Sequence, residues 1–443
     1  MLDKLATVSK KLSPGLRKLI SNTVWMFADR FLRLFVALFV SVWVARYLGP
    51  EQFGLYNYAL TVIGLLMPFA KLGLDSILMR NLARDPTSKD ETLGTAFVLK
   101  IAGGLVTSVL AVVTIFLLRP DNKMSHWLVG IMAVGSIFHA SEIITFWFDS
   151  QTRAKYGVWA RNASYLLAGF IKIVLIQIHA PLIAFAWATL VEAILGAIAL
   201  VIVYQADGNL LTALRYNLWR ARELLQDSWP LIFASLAVMI YMQIDQIMLG
   251  QMMGDREVGL YSVVVKLSEI WYFIPGVITT SVFPSVVRAK AVSEKLYYER
   301  IQKLFNLMSV TAYAAALLFT LSSNRLVTLL YGSQYAEVGP VIAVYVWAGV
   351  FVSLGLATSL WTTTEGLMRF SPLVSIIGAG VNVFFNYFLI PKYGIMGATI
   401  ATVISQFIAS CGAYAIPGKT RKIFAMQIKA MLAPGLPTKE WFN

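Results

Sequence analysis

Between Asn22 and Ile416 the chain is divided into twelve apolar runs of about 20 residues, with polar, often basic, connections between them. A hydrocarbon layer about 30 Å thick takes about 20 helical residues to cross, because only a helix or a closed barrel satisfies every backbone group away from water. Barrel strands alternate apolar and polar residues and would not give runs of this length. The chain therefore reads as an all-α integral membrane protein of about 12 transmembrane helices. Composition agrees: 58% of residues are hydrophobic and 14% charged, far from the soluble average of about 25% charged. A soluble enzyme and a disordered chain are both excluded.

The runs are 22–47, 54–73, 94–118, 125–149, 158–179, 182–204, 229–252, 258–283, 304–323, 338–362, 371–390 and 394–416. Alternate connections, counted with both ends of the chain, hold 24 of the 37 Lys and Arg, while the opposite set holds six. Basic residues stay on the cytoplasmic side, so both termini are expected there. The formal net charge of +14 has the same explanation, and nucleic acid is not an expected partner. No connection is long enough for a catalytic domain outside the membrane.

Two halves echo each other. Gly49-Pro-Glu-Gln-Phe-Gly54-Leu55-Tyr56 follows the first run, and Gly254-Asp-Arg-Glu-Val-Gly259-Leu260-Tyr261 follows the seventh. Six runs per half give both halves the same orientation, so two pseudo-symmetric six-helix lobes around a central cavity are expected. The expected division is a basic segment 1–21, a lobe 22–204, a linker 205–228, a second lobe 229–416 and a basic tail 417–443. Both basic ends are amphipathic in part and are expected to rest on anionic lipid.

Ionisable side chains inside the runs cost about 2.5–3.5 kcal/mol each on insertion scales, so each needs a reason. Asp29, Arg30 and Arg33 fall within the first run, and Asp29 can pair with Arg33 at i, i+4. Snorkelling to headgroups and lining an aqueous cavity both account for the two arginines. Lys172 and Lys266 lie about two turns inside their runs, a long reach to the surface, and favour a cavity. Lys266 shares a face with Glu269, and the two are expected to pair in part. Lys100 lies near a run end and is expected to snorkel. Among the acids, Asp29, Glu142, Glu192, Asp245 and Glu269 are candidates for proton or sodium coupling, or for neutralising the neighbouring lysines. The runs after residue 303 hold no interior charge. A cavity cationic on one side and apolar on the other suits an anionic headgroup on a long hydrocarbon tail.

The chain has no Gly-rich phosphate loop, no His-Glu-x-x-His and no Gly-x-Ser-x-Gly sequence. Catalytic residues, a cofactor and a metal site are therefore not expected. With a single cysteine, Cys411, a disulfide framework is excluded.

Ala45-Arg-Tyr-Leu-Gly-Pro-Glu-Gln-Phe-Gly-Leu-Tyr56, Leu330-Tyr-Gly-Ser-Gln-Tyr335 and Ile390-Pro-Lys-Tyr-Gly-Ile-Met-Gly-Ala-Thr-Ile-Ala-Thr402 resemble the Wzx-type polysaccharide flippases. These belong to the multidrug/oligosaccharidyl-lipid/polysaccharide (MOP) exporter superfamily. The resemblance implies a MATE-like fold, an inner-membrane location, alternating access and export of undecaprenyl-diphosphate-linked oligosaccharide units. Such cargo serves O-antigen, capsule or exopolysaccharide synthesis, with a polymerase and chain-length machinery as candidate partners besides membrane lipids. It also implies a cationic cavity, for which Arg30, Arg33, Lys172 and Lys266 are the candidate substrate-binding residues. An ion-coupled multidrug exporter of the same superfamily is the alternative. It should favour an acidic cavity, and the intramembrane cations count against it. A major-facilitator transporter is a weaker rival, since its basic motif between the second and third runs is missing.

Overall fold

The computed structural model describes residues 14–435 apart from 369, 417, 419 and 434, and of residues 14–30 only the side chains of Trp25 and Asp29. Every regular element among them is helical. In chain order the α-helices are α1 (Pro14–Lys71), α2 (Asp75–Arg84), α3 (Lys89–Leu118), α4 (Lys123–Ala133), α5 (Gly135–Phe138), α6 (Ile143–Ser150), α7 (Lys155–Gln177) and α8 (Leu182–Ala206). They continue with α9 (Leu218–Met252), α10 (Asp255–Glu269), α11 (Phe273–Val292), α12 (Glu294–Tyr331), α13 (Gly339–Tyr345), α14 (Ala348–Thr364), α15 (Phe370–Ser410) and α16 (Arg421–Leu432).

Nine helical stretches among the described residues are long and apolar enough to cross a membrane, or ten if the bent pair Ser333–Tyr345 and Ala348–Thr364 counts as one. Two of the nine are too long for a single pass, Phe31–Arg84 at 54 residues and Pro372–Ala415 at 44. Each is broken by a glycine with positive φ, Gly49 at 71° and Gly394 at 55°, a conformation that costs other residues dearly. Pro50 follows Gly49 and opens the next helix, where a missing N–H leaves nothing unpaired. Divided at these glycines, the passes number about twelve, in keeping with the hydropathy pattern. Large apolar side chains such as Leu117 and Leu321 stand exposed, as a lipid solvent requires.

Three passes are interrupted. The fourth run is split into α4, α5, a 3₁₀ turn at His139–Glu142 and α6. The tenth is split between α13 and α14, with a bend of 44°. The eighth breaks at the 3₁₀ turn Ile270–Tyr272, before α11. Pro275 explains that break, because it cannot donate to the carbonyl four residues back, at Trp271.

The described chain divides into two compact units. One takes the chain through Tyr47 and resumes at Val62–Leu236, and the other takes Leu48–Thr61 and everything from Ala237 onward. In the first, α2 buries Ile77, Leu78 and Leu82 in a core with Phe148, Leu200 and Tyr204. The second is built around α12, whose Phe305 and Met308 are fully buried in a core with Leu354 and Ile423. Its final helix α16, the described part of the basic tail, buries one face in the protein. There Gln427 donates to Thr358 Oγ1 at 2.6 Å and to the Ser410 carbonyl at 2.9 Å. Lipid can meet only its remaining faces. Of the basic N-terminal segment, residues 1–13 lie outside the described residues.

Candidate functional site

Polar residues in the first unit gather on α1, α7 and α8. Trp25, Asp29 and Arg33 recur at i, i+4 and i+8 and so form one stripe of α1. Asp29 is 4% exposed. Its Oδ2 accepts from Arg33 Nη2 at 2.7 Å and from Arg161 Nη2, on α7, at 3.3 Å. The expected i, i+4 pair is present, and a second arginine joins it. The side chain of Arg30 lies outside the described residues.

Further along α7, Lys172 Nζ donates to Glu192 Oε2 on α8 at 2.8 Å. The lysine is thus held by one of the candidate coupling acids. Glu142 accepts from His139 Nδ1 at 2.9 Å within the 3₁₀ turn that interrupts the fourth pass.

Lys100 does not snorkel as expected. It is 1% exposed and donates to Asp75 Oδ1 at 2.8 Å, with its ammonium 4.9 Å from the Phe146 ring centroid. A buried ammonium needs a partner, and the first turn of α2 supplies one. Beyond the apolar helices, Arg153 grips Asp207 through both terminal nitrogens, at 3.0 and 2.5 Å. That hydrogen bonding raises the Arg153 pKa and fastens the α6–α7 connection to the end of α8.

In the second unit, the segment Leu48–Thr61 carries a row of polar contacts. Asn57 Oδ1 accepts from Lys266 Nζ at 3.0 Å, and the ammonium stands 4.7 Å from the Phe53 ring centroid. Gln251 donates to Tyr58 at 2.7 Å, and Thr61 to Gln246 at 2.9 Å. Asp245, 4% exposed, accepts from Tyr261 at 2.6 Å and from Thr402 at 3.2 Å. Glu269 accepts from Tyr345 at 2.9 Å. The late helices hold no interior charge, yet they are not wholly apolar. Asn386 donates to Asn382 at 2.8 Å, and Asn382 to Ser405 at 3.3 Å, all three buried.

The residues least visible in the sequence were Arg161 and the partners Asn57, Tyr261, Tyr345 and Thr402. Arg161 carried a signal, being a cation inside the fifth run like Lys172. The neutral partners carried none. No cluster of three or more His, Cys, Asp or Glu among the described residues could hold a metal ion.

Residues 19–290 match the family described as "Polysaccharide biosynthesis protein", more than half of the 443 residues. The chain belongs to that family. All nine candidate substrate and coupling residues fall inside the matched stretch of this polysaccharide biosynthesis protein. A curated relative is the capsular polysaccharide biosynthesis protein CapF of Staphylococcus aureus, 20% identical over 409 residues, covering 89% of this chain and 98% of CapF. Among solved structures, the lipid II flippase MurJ in an inward closed conformation superposes with a TM-score of 0.68 at 13% identity, over 96% of this chain and 94% of MurJ. An inward-facing multidrug resistance MATE family transporter of the MOP superfamily gives 0.65 at 16% identity, over 91% and 95%. At these identities the shared property is the MOP fold, which the sequence motifs had implied.

Proposed function

We propose that this chain is a flippase that carries undecaprenyl-diphosphate-linked oligosaccharide repeat units from the cytoplasmic to the outer leaflet of a bacterial inner membrane. The units would serve O-antigen, capsule or exopolysaccharide synthesis. The observation that carries this reading is the family match together with cations held inside apolar helices, where each needs a function. Arg33, Lys172 and Lys266 contact the anionic headgroup, with Arg30 close to Arg33 in sequence, while the hydrocarbon tail stays in lipid. Transport runs by alternating access, with both termini cytoplasmic as the Lys and Arg distribution predicts. Asp245, which accepts from Tyr261, Thr402 and the Gln246 amide, and Glu269, which accepts from Tyr345, are the coupling carboxylates. Asp29, Glu142 and Glu192 pair with arginine, histidine and lysine. The protein performs no covalent chemistry of its own and hands its cargo to a polymerase and chain-length machinery.

Deleting the gene in its host tests the reading. Surface polysaccharide should be lost while complete diphosphate-linked repeat units accumulate in the membrane. Normal polymer with unchanged lipid-linked pools would overturn the proposal and favour the multidrug exporter.

A further inference from the structure

The seam between α1 and α7 changes character along its length. Val36 and Val40 lie against Gly169 in an apolar stretch. Next along α1 come Arg33 and Asp29 with Arg161, and then Trp25 beside Trp159, their ring centroids 5.9 Å apart. Hydrogen bonding in the ionic stretch is incomplete. Both guanidiniums spend Nη2 on the same oxygen, Asp29 Oδ2. Asp29 Oδ1, Arg33 Nε and Arg161 Nε are buried and have no hydrogen-bond partner among the described residues.

A guanidinium offers Nε and Nη2 as a two-pronged edge that suits two oxygens of one anion. Here each edge is half used, because one carboxylate oxygen cannot fill two forks. Terminal oxygens of a phosphate can. Arg33 and Arg161 also keep part of their side chains open, at 41% and 26% exposure, although the two Nε atoms themselves are buried.

We infer that Arg33 and Arg161 form a seat for a lipid-borne phosphate, and that Asp29 is a resident carboxylate which occupies the seat until a phosphate displaces it. Asp29 holds the two arginines in register and offsets their charge while the seat is empty. Asp149 acts electrostatically on the same cluster, being within reach of both Arg161 and Asp29. An anion is retained by fit to the two forks. Release follows when Asp29 takes the guanidiniums back. Identifying the phosphate with the cargo's diphosphate rests on the flippase reading, whereas the seat itself does not.

The test uses the purified full chain in phosphatidylcholine nanodiscs, titrated with farnesyl diphosphate. Thermal unfolding of each variant is followed in parallel, so that only folded protein is compared. Arg161→Gln should weaken binding about tenfold or more, the loss of one charge-assisted contact. Asp29→Asn should tighten binding, because the competing charge is gone. Unchanged affinity in folded Arg161→Gln would overturn the seat. Weaker binding in folded Asp29→Asn would overturn the displacement, leaving Asp29 as a fixed support. Phosphatidylglycerol added to the nanodiscs identifies the source of the phosphate. Competition as strong as farnesyl diphosphate itself would overturn the assignment to cargo in favour of bulk lipid, and weak competition supports cargo. Binding without any flipping by the parent protein would count against the transport reading and not against the seat.

Discussion

Gly54 and Gly259 occupy equivalent places in the two repeats and press against each other's helices reciprocally. A Cβ on Gly54 would stand 1.7 Å from the Asp255 carbonyl oxygen, and one on Gly259 would stand 1.9 Å from the Pro50 carbonyl oxygen. Pro50 and Asp255 are themselves equivalent, each four residues before its glycine. The sequence echo thus marks a two-fold-related helix crossing in which only backbone fits. Gly54→Ala and Gly259→Ala should each destabilise the protein by about 1–3 kcal/mol or more, since the obstacle is backbone and cannot rotate away. The double variant should cost less than the sum, because one crossing is opened by either change. Thermal unfolding in detergent checks both statements.

Asp75 and Lys100 form a second pair with a directional prediction. Asp75→Asn leaves the buried ammonium without a counter-charge, which should cost about 3 kcal/mol at most, since Asp75 is itself 37% exposed. Lys100→Met removes the charge with its methylenes replaced, so the double variant should recover most of that loss. A double-mutant cycle read by unfolding midpoint measures the coupling.

Lys172 and Glu192 separate a packing role from a transport role. Exchanging the charges, as Lys172→Glu with Glu192→Lys, keeps an ion pair across α7 and α8 and should leave stability within about 1 kcal/mol of the parent. Export should still fall, because the cation no longer sits on α7. Full export by the exchanged variant would assign the pair to packing alone. Lys266→Gln should lower export outright.

Asp85 gives a pH signature outside the apolar helices. Its Oδ1 accepts from the Thr87 amide at 3.0 Å and from the Thr87 hydroxyl at 2.5 Å, and these bonds lower its pKa below the ordinary 3.8. A carboxylate with a depressed folded-state pKa contributes stability above its unfolded value, and loses it as pH falls through the folded value. Asp85→Asn keeps a capping oxygen but cannot titrate. The difference in Tm between parent and variant should be flat from neutral pH to about pH 5 and should change only below about pH 4.

Hydropathy made the passes legible because lipid permits little else, and Gly49 and Gly394 showed where two long helices turn back. The 3₁₀ turn at His139–Glu142 was not legible, since no glycine or proline marks it. The 3₁₀ turn at Ile270–Tyr272 had Pro275 as its signal. Charged residues within the runs could be located but not paired. Asp29 with Arg33 is local in sequence, whereas Lys100 with Asp75 and Lys172 with Glu192 depend on which helices pack together. The snorkelling expectation for Lys100 failed for that reason: α2 read as a connection, and its buried face was not visible until Ile77, Leu78 and Leu82 were seen packed.

The central claim is movement of a lipid-linked oligosaccharide across a bilayer. The most direct measurement places the purified protein in proteoliposomes loaded with a diphosphate-linked oligosaccharide on both leaflets, and follows its exposure to a membrane-impermeant sugar oxidant. The account predicts that oxidation proceeds beyond the outer-leaflet half towards completion, and that Lys266→Gln slows this second phase. Oxidation that stops at the outer-leaflet half, as in protein-free vesicles, would contradict it.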